Sequence, residues 1–106
     1  MWEVKQSAGA LGAENSGFDL SRPLNASEQQ QLRLLLNEHE VVFFRDQNID
    51  PRAQRELALC FGPLQTHPAY STVEGFPEIT VLESTPDKPS KIDVWHSDMT
   101  FREHPP

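Results

Sequence analysis

Cysteine is nearly absent from this chain. Cys60 stands alone, so neither an internal disulfide nor a Cys-x-x-Cys pair can form. A reducing, cytoplasmic setting is the expectation. Basic charge is also short: 9 Lys or Arg stand against 16 Asp or Glu, a net charge of −7. Surfaces that grip a phosphate backbone carry net or clustered positive charge, so nucleic acid is not an expected partner. No apolar run approaches the roughly 20 residues that span a bilayer. Met1–Gln6 lacks the basic patch and apolar stretch of a secretory leader, so no membrane partner is expected either. Apolar residues make up 37% of the chain, and five glycines add little. The total falls below the ~45–50% usual for a globular domain. At 106 residues the length allows one domain, with a thin apolar surplus to set against chain entropy. The expectation is either a part of a longer protein or a small domain that needs a partner.

Proline, by contrast, is plentiful, with nine residues that cut the chain into short segments. Trp2–Gln6 alternates weakly, as a strand over about 2–6 would. Residues 9–17 read as a loop. Ser27 followed by Gln30 has the form of a capping box. Leu32, Leu35, Leu36 and His39 then fall on one face of a helix over about 27–39. Glu38-His39-Glu40 reads as its solvated end. Val41-Val42-Phe43-Phe44 has the continuous apolar character of a strand (about 41–45) buried on both faces. Asp50-Pro51 opens a second helix over about 51–61, with Ala53, Leu57, Cys60 and Phe61 on its apolar side and Gly62-Pro63 as its stop. Further strands are expected over about 79–83 and 94–101. The class is α+β, in a single partial domain over residues 1–106.

His96-Ser97-Asp98 is the first candidate for chemistry. On a strand, residues i and i+2 share a face. An imidazole and a carboxylate would then converge, a donor pair suited to Fe(II) or Zn(II). Two donors do not complete a site, and a His-x-Asp pair is common by chance. Taken alone, the pair reads first as a His and an Asp that hydrogen-bond each other or water. The remaining histidines are His39, His67 and His104.

The surrounding residues carry more. Trp95-His96-Ser97-Asp98-Met99-Thr100-Phe101 resembles a segment of the taurine dioxygenase (TauD/TfdA) family. So, in order and spacing, do Gly9–Glu14, Gly17–Leu24, Val41–Gln47, Phe61–Leu64, His67-Pro68-x-Tyr70 and Pro105-Pro106. The resemblance covers essentially the whole chain and about the first third of a family member. It implies the N-terminal portion of a double-stranded β-helix (a jelly roll), with the barrel incomplete in this chain. It implies an Fe(II)- and 2-oxoglutarate-dependent dioxygenase that releases succinate and CO2 while oxidising a small sulfonate- or sulfate-type substrate.

By the same resemblance, His96 and Asp98 are the first two iron ligands. The third ligand and the 2-oxoglutarate-binding Arg are expected downstream of Pro106, and His104 is a poor substitute. His67, Tyr70 and the backbone N–H of Met99 match positions that meet the anionic substrate, and a protonated His67 would donate from both ring nitrogens. Trp95 is expected to pack beside the metal. Taurine-using members carry an Asp-Asn pair where this chain has Lys91 and Ile92. A lysine repels an ammonium, so the expected substrate lacks the amine of taurine. Cys60 reads as a core thiol.

Two alternatives stay open. The chain could be a catalytically inactive remnant, or an interaction piece completed by another copy or by a separate C-terminal half. Less directly, His96, Asp98 and another His could form a hydrolytic zinc site, which predicts turnover without 2-oxoglutarate. The isolated chain is expected to be inactive.

Overall fold

The computed structural model describes residues 2–105. The chain divides into two compact units, Met1–Leu64 and Gln65–Pro106. Each is described by itself.

In the first unit, β1 (Glu3–Gln6) pairs antiparallel with β2 (Ala13–Ser16). The second strand falls inside the stretch expected to be loop. Its short polar residues hide a strand whose inward side chains are Ala13 and Asn15. Gly12 makes the connection possible. Its φ is +89°, where an L side chain is strained, and its carbonyl accepts from the Ser7 N–H at 2.9 Å.

Helix α1 (Ala26–His39) begins one residue before the expected start. Its capping box is Asn25 with Glu28, not Ser27 with Gln30. Asn25 Oδ1 accepts from the Glu28 N–H at 2.9 Å, and Glu28 Oε1 accepts from the Asn25 N–H at 3.4 Å. Asn is a stronger cap than a Ser already inside the first turn. Arg22 forks onto the same carboxylate at 2.6 and 3.0 Å, and its guanidinium lies 5.6 Å over the Phe18 ring. At the other end, His39 is buried rather than solvated. Its carbonyl accepts from Gly12 N–H at 2.8 Å, and the Val41 carbonyl accepts from Ala13 N–H at 2.9 Å. The helix end is therefore stitched to the start of β2.

β3 (Val42–Phe43) runs parallel to β2 and is shorter than the expected 41–45 strand. Val42 and Phe44 are half-buried, whereas Val41 and Phe43 are exposed. The run is half-buried and alternating because no layer of described residues covers its outer face in this unit. Gln47 anchors the segment beyond it, donating from Nε2 to the Phe18 carbonyl at 2.8 Å and accepting from the Leu20 N–H at 2.9 Å. Helix α2 (Pro51–Leu59) has Asp50 as its cap, with Oδ1 accepting from Ala53 N–H at 2.8 Å. It ends two residues before the expected 61. Arg33 of α1 donates to the Cys60 carbonyl at 2.8 Å and joins the two helices. The apolar core is small: Ala13, Phe18, Leu20, Leu32 and Cys60. Burial pushes the Cys60 thiol pKa up, as for an inert core thiol.

In the second unit, β4 (Thr72–Val73) and β5 (Phe76–Thr80) form a hairpin around Glu74-Gly75. Gly75 has φ +80°, a left-handed conformation that glycine adopts without strain. The strand expected at 79–83 is thus displaced to 76–80. The strand expected at 94–101 does not form. A strand persists only when a neighbour takes up its backbone groups, and the described residues offer this segment none. Among the described residues no helix is long and apolar enough to cross a membrane.

The packing of the first unit can be tested at two places. Asn15 is 2% exposed, yet neither its Oδ1 nor its Nδ2 has a partner among the described residues. Asn15→Val removes two unsatisfied polar atoms and suits a strand, so urea unfolding should show a gain of about 1 kcal/mol. The Arg22 fork holds the Glu28 carboxyl pKa below its ordinary 4.5. A depressed carboxyl pKa contributes stability that is full above 4.5 and is lost as pH falls through the lowered value. Glu28→Gln should flatten that part of the acid limb in denaturation midpoints measured from pH 6 to 2.

Candidate metal and anion site

The candidate residues of the second unit sit on irregular backbone, and side chains hold that backbone in place. The Arg102 guanidinium donates to Gln65 Oε1 at 3.2 Å and to the Thr66 carbonyl at 2.6 Å. Gln65 Nε2 donates in turn to the His104 carbonyl at 3.2 Å. These bonds tie the end of the chain to the segment that carries His67. The Arg102 N–H donates to the Met99 carbonyl at 3.1 Å and closes a turn, in which Met99 takes φ +56°. A left-handed Met is uncommon and costs roughly 1 kcal/mol, so the turn must be held from outside.

Just before this turn His96 and Asp98 come together without a strand. His96 Nε2 lies 3.0 Å from Asp98 Oδ1, and both side chains are substantially exposed. His96 Nδ1 lies 2.8 Å from the Val94 carbonyl. A carbonyl can only accept, so Nδ1 carries the proton, and in the neutral ring Nε2 is a bare lone pair. That lone pair faces a carboxylate oxygen, an arrangement that needs a cation between them. Without metal the ring takes a proton. Its pKa is pushed up, chiefly by the hydrogen bond to the Val94 carbonyl, with burial opposing and the Asp98 carboxylate adding to the rise.

A divalent ion also fits. Two cis ligands at ~2.1 Å from one ion stand about 3.0 Å apart, which is the observed separation. Backbone fixation of the non-ligating nitrogen is the usual outer-shell support of a metal-binding His. Among the described residues no group of three His, Cys, Asp or Glu side chains gathers. His104 contributes its carbonyl to the Gln65 bond, and His39 belongs to the first unit.

His67 and Tyr70 pack together, with ring centroids 4.7 Å apart, and Phe101 meets His67 edge-on at 6.2 Å. His67 Nδ1 accepts from the Ala69 N–H at 3.1 Å. Tyr70 also lines a groove of about 540 Å³ with Ser71, Val81, Leu82, Lys91 and Ile92. The position matched to substrate (Tyr70) and the two positions that depart from the taurine pattern therefore share one wall. Trp95 is fully exposed among the described residues. Arg102, Gln65 and the Val94 carbonyl escape sequence reasoning. Their roles are backbone and bridging ones, without a spacing signature. Phe101 lies within the Trp95–Phe101 motif, and only the fold shows that it meets His67.

Comparison with known proteins fixes the class. Residues 3–106 match the family described as taurine catabolism dioxygenase TauD, TfdA, and the chain belongs to that family. An alkylsulfatase from Acinetobacter baylyi is 35% identical over 100 residues, which is 93% of this chain and 31% of the relative. An alpha-ketoglutarate-dependent sulfate ester dioxygenase from Pseudomonas putida is 32% identical over 102 residues, 95% of this chain and 33% of that one. The crystal structure of a taurine dioxygenase from Burkholderia xenovorans has a TM-score of 0.66 at 38% identity, covering 72% of this chain and 28% of that chain. The chain thus spans about a third of the length of these curated relatives. Its fold is the N-terminal portion of their jelly roll, an α+β piece with no closed barrel among the described residues.

The Arg102 bonds generate a prediction. Arg102→Met removes the ties to residues 65 and 66, and hydrogen bonds to a charged group of this exposure are worth about 1 kcal/mol or more. Amide exchange at Phe101 and Arg102 should quicken by roughly tenfold, while exchange in α1 stays unchanged.

Proposed function

We propose that this chain is the metal-donor-bearing part of an Fe(II)- and 2-oxoglutarate-dependent dioxygenase that oxidises a small sulfate ester or sulfonate. The observation that carries the reading is the His96–Asp98 pair, whose two acceptor atoms face one another at 3.0 Å. The names of the alkylsulfatase and the sulfate ester dioxygenase support the substrate class. When bound, iron and 2-oxoglutarate supply O2-dependent oxidation of the substrate, with succinate and CO2 released.

The protein's own residues do the positioning. His96 and Asp98 hold the metal from one side of the turn. His67, Tyr70 and the Met99 N–H meet the anionic head. The remaining iron ligand and the cation for 2-oxoglutarate come from outside these residues. The unpaired Cys60 suits a reducing cytoplasmic setting.

Lys91 and Ile92 set the substrate apart from taurine. They line the Tyr70 groove together with Val81 and Leu82. An ammonium placed at positions 91 and 92 meets the like charge of Lys91 and no acceptor from Ile92, although the Glu83 carboxylate lines the same groove. An alkyl group covers apolar side chains that otherwise face water, worth about 0.8 kcal/mol per CH2.

A second reading also has an observation behind it. Leu82, Ile92, Val94, Trp95 and Phe101 are all well exposed. A piece completed by a second polypeptide would cover such residues.

The test is succinate release from 2-oxoglutarate with Fe(II), comparing hexyl sulfate with taurine. The 106 residues alone should give no succinate above background. Joined to the remaining two-thirds of the length of its relatives, the chain should turn over hexyl sulfate at least about tenfold better than taurine, the effect of ~1.4 kcal/mol. A preference for taurine would sink the substrate assignment. Hydrolysis without 2-oxoglutarate would replace the oxygenase with a zinc hydrolase.

A further inference from the structure

The groove beside Tyr70 is held in shape by two kinds of bond. Near Tyr70 the tie is backbone to backbone: the Val81 N–H donates to the Ser71 carbonyl at 2.8 Å and continues the hairpin. Residues 84–92 belong to no strand. Two serine hydroxyls hold them instead. Ser84 Oγ accepts from the Ser90 N–H at 3.0 Å, and Ser90 Oγ accepts from the Ile92 N–H at 3.4 Å. The stretch between the serines is stiff. Pro86 and Pro89 have fixed φ angles. Thr85 and Lys88 exchange N–H···O bonds, both at 3.1 Å, and Thr85 Oγ1 accepts from the Lys88 N–H at 3.0 Å. A stiff spacer transmits position, so where Ser84 stands decides where Ser90 stands.

We infer that Ser84 is a positioning residue for substrate selection: acting through Ser90, it sets the part of the groove made by Lys91 and Ile92, and so lets the groove discriminate among alkyl tails. The inference rests on the proposed seat of the alkyl group and deepens it. Ser84, Ser90, Lys91 and Ile92 all line the groove. Lys91 and Ile92 are exposed, so burial among the described residues does not hold them in place. Lys91 lies between two residues whose N–H groups the serines have taken up. Apolar contact is gained only while two surfaces stay within van der Waals reach. A wall free to move must be ordered by its ligand, at an entropy cost that cancels part of the gain. The two serine bonds order this wall before the tail arrives. Their effect grows with tail length, because each further CH2 covers more of the wall. The anionic head, placed at His67 and the Met99 N–H, gains nothing from them.

Two measurements on the 15N-labelled chain test this. The first needs no ligand and reads solvent exchange of the amide protons. Ser84→Ala should quicken exchange at both Ser90 and Ile92, by about fivefold at Ser90, as the loss of one ordinary hydrogen bond implies. Ser90→Ala should quicken exchange at Ile92 alone. Ser84→Thr keeps an acceptor oxygen and should retain the wild-type pattern, with exchange in β5 unchanged in every variant. Exchange at Ser90 that ignores Ser84→Ala overturns the inference. The second measurement titrates ethyl sulfate and hexyl sulfate and follows the amide signals of Tyr70, Lys91 and Ile92. The wild-type chain and Ser84→Thr should bind hexyl sulfate at least about tenfold more tightly than ethyl sulfate. Ser84→Ala should lose about fivefold of that preference, all of it from hexyl sulfate, with ethyl sulfate binding as before. A hexyl preference that survives Ser84→Ala overturns the positioning role and leaves the alkyl groove standing. Equal losses for both ligands mean a general disturbance of the groove and also overturn it. If the wild-type chain shows no hexyl preference, the seat of the alkyl group is wrong and the inference falls with it.

Discussion

Two electron pairs facing one another across 3.0 Å require a positive charge, and that requirement is set by the backbone around residue 94. His96 Nε2 and Asp98 Oδ1 are the pair. The Val94 carbonyl holds the imidazole in the tautomer that exposes Nε2, so the ring has no alternative way to satisfy Asp98 other than by gaining a cation or a proton. The turn at Met99 follows directly on the pair, which forms without a strand beneath it. Arg102 then holds that turn to residues 65 and 66. The same guanidinium therefore ties the turn that follows the pair to the segment that carries His67.

The first unit answers a different constraint. Its apolar core is small, and polar side chains do much of the joining. Gln47 bonds the 18–20 segment, Arg33 bonds the end of α2, and the Asn25–Glu28–Arg22 group fixes the start of α1. Hydrogen bonds of this kind give direction but modest net stability. A chain held in this manner depends on further apolar burial, which matches a piece spanning about a third of its relatives. The exposed faces of Phe43, Phe61, Leu82, Trp95 and Phe101 are consistent with that.

Both helices and the α+β class are legible in the sequence because capping residues and apolar spacing are local signals. Asp50-Pro51 names a helix start by itself. The spacing alone puts the capping box of α1 two residues late because Ser27 and Asn25 are both good caps, and only the Arg22 fork on Glu28 separates them. Strands are legible where β-branched residues cluster and illegible where pairing decides. Ala13–Ser16 looks like loop and is a strand because β1 and β3 flank it. Residues 94–101 look like strand and are not, for want of a neighbour among the described residues.

The candidate site residues stand out as a set only through the ordered family resemblance, since a His-x-Asp pair is weak evidence alone. Tautomer and tether have no expression in the sequence. The bonds to Val94, Ala69 and Thr66 run to backbone carbonyls or an N–H, which nearly every residue type supplies. Their consequences decide what His96 can do and how His67 is held.

The most direct test of the metal-donor pair is a Mn(II) titration of the 15N-labelled chain, read by paramagnetic broadening. The earliest signals to broaden should be those of His96 and Asp98, followed by their neighbours in the turn. His96→Ala should abolish the effect. Broadening centred on His39 or His104, or broadening that survives His96→Ala, would contradict the assignment of His96 and Asp98 as a cation-holding pair.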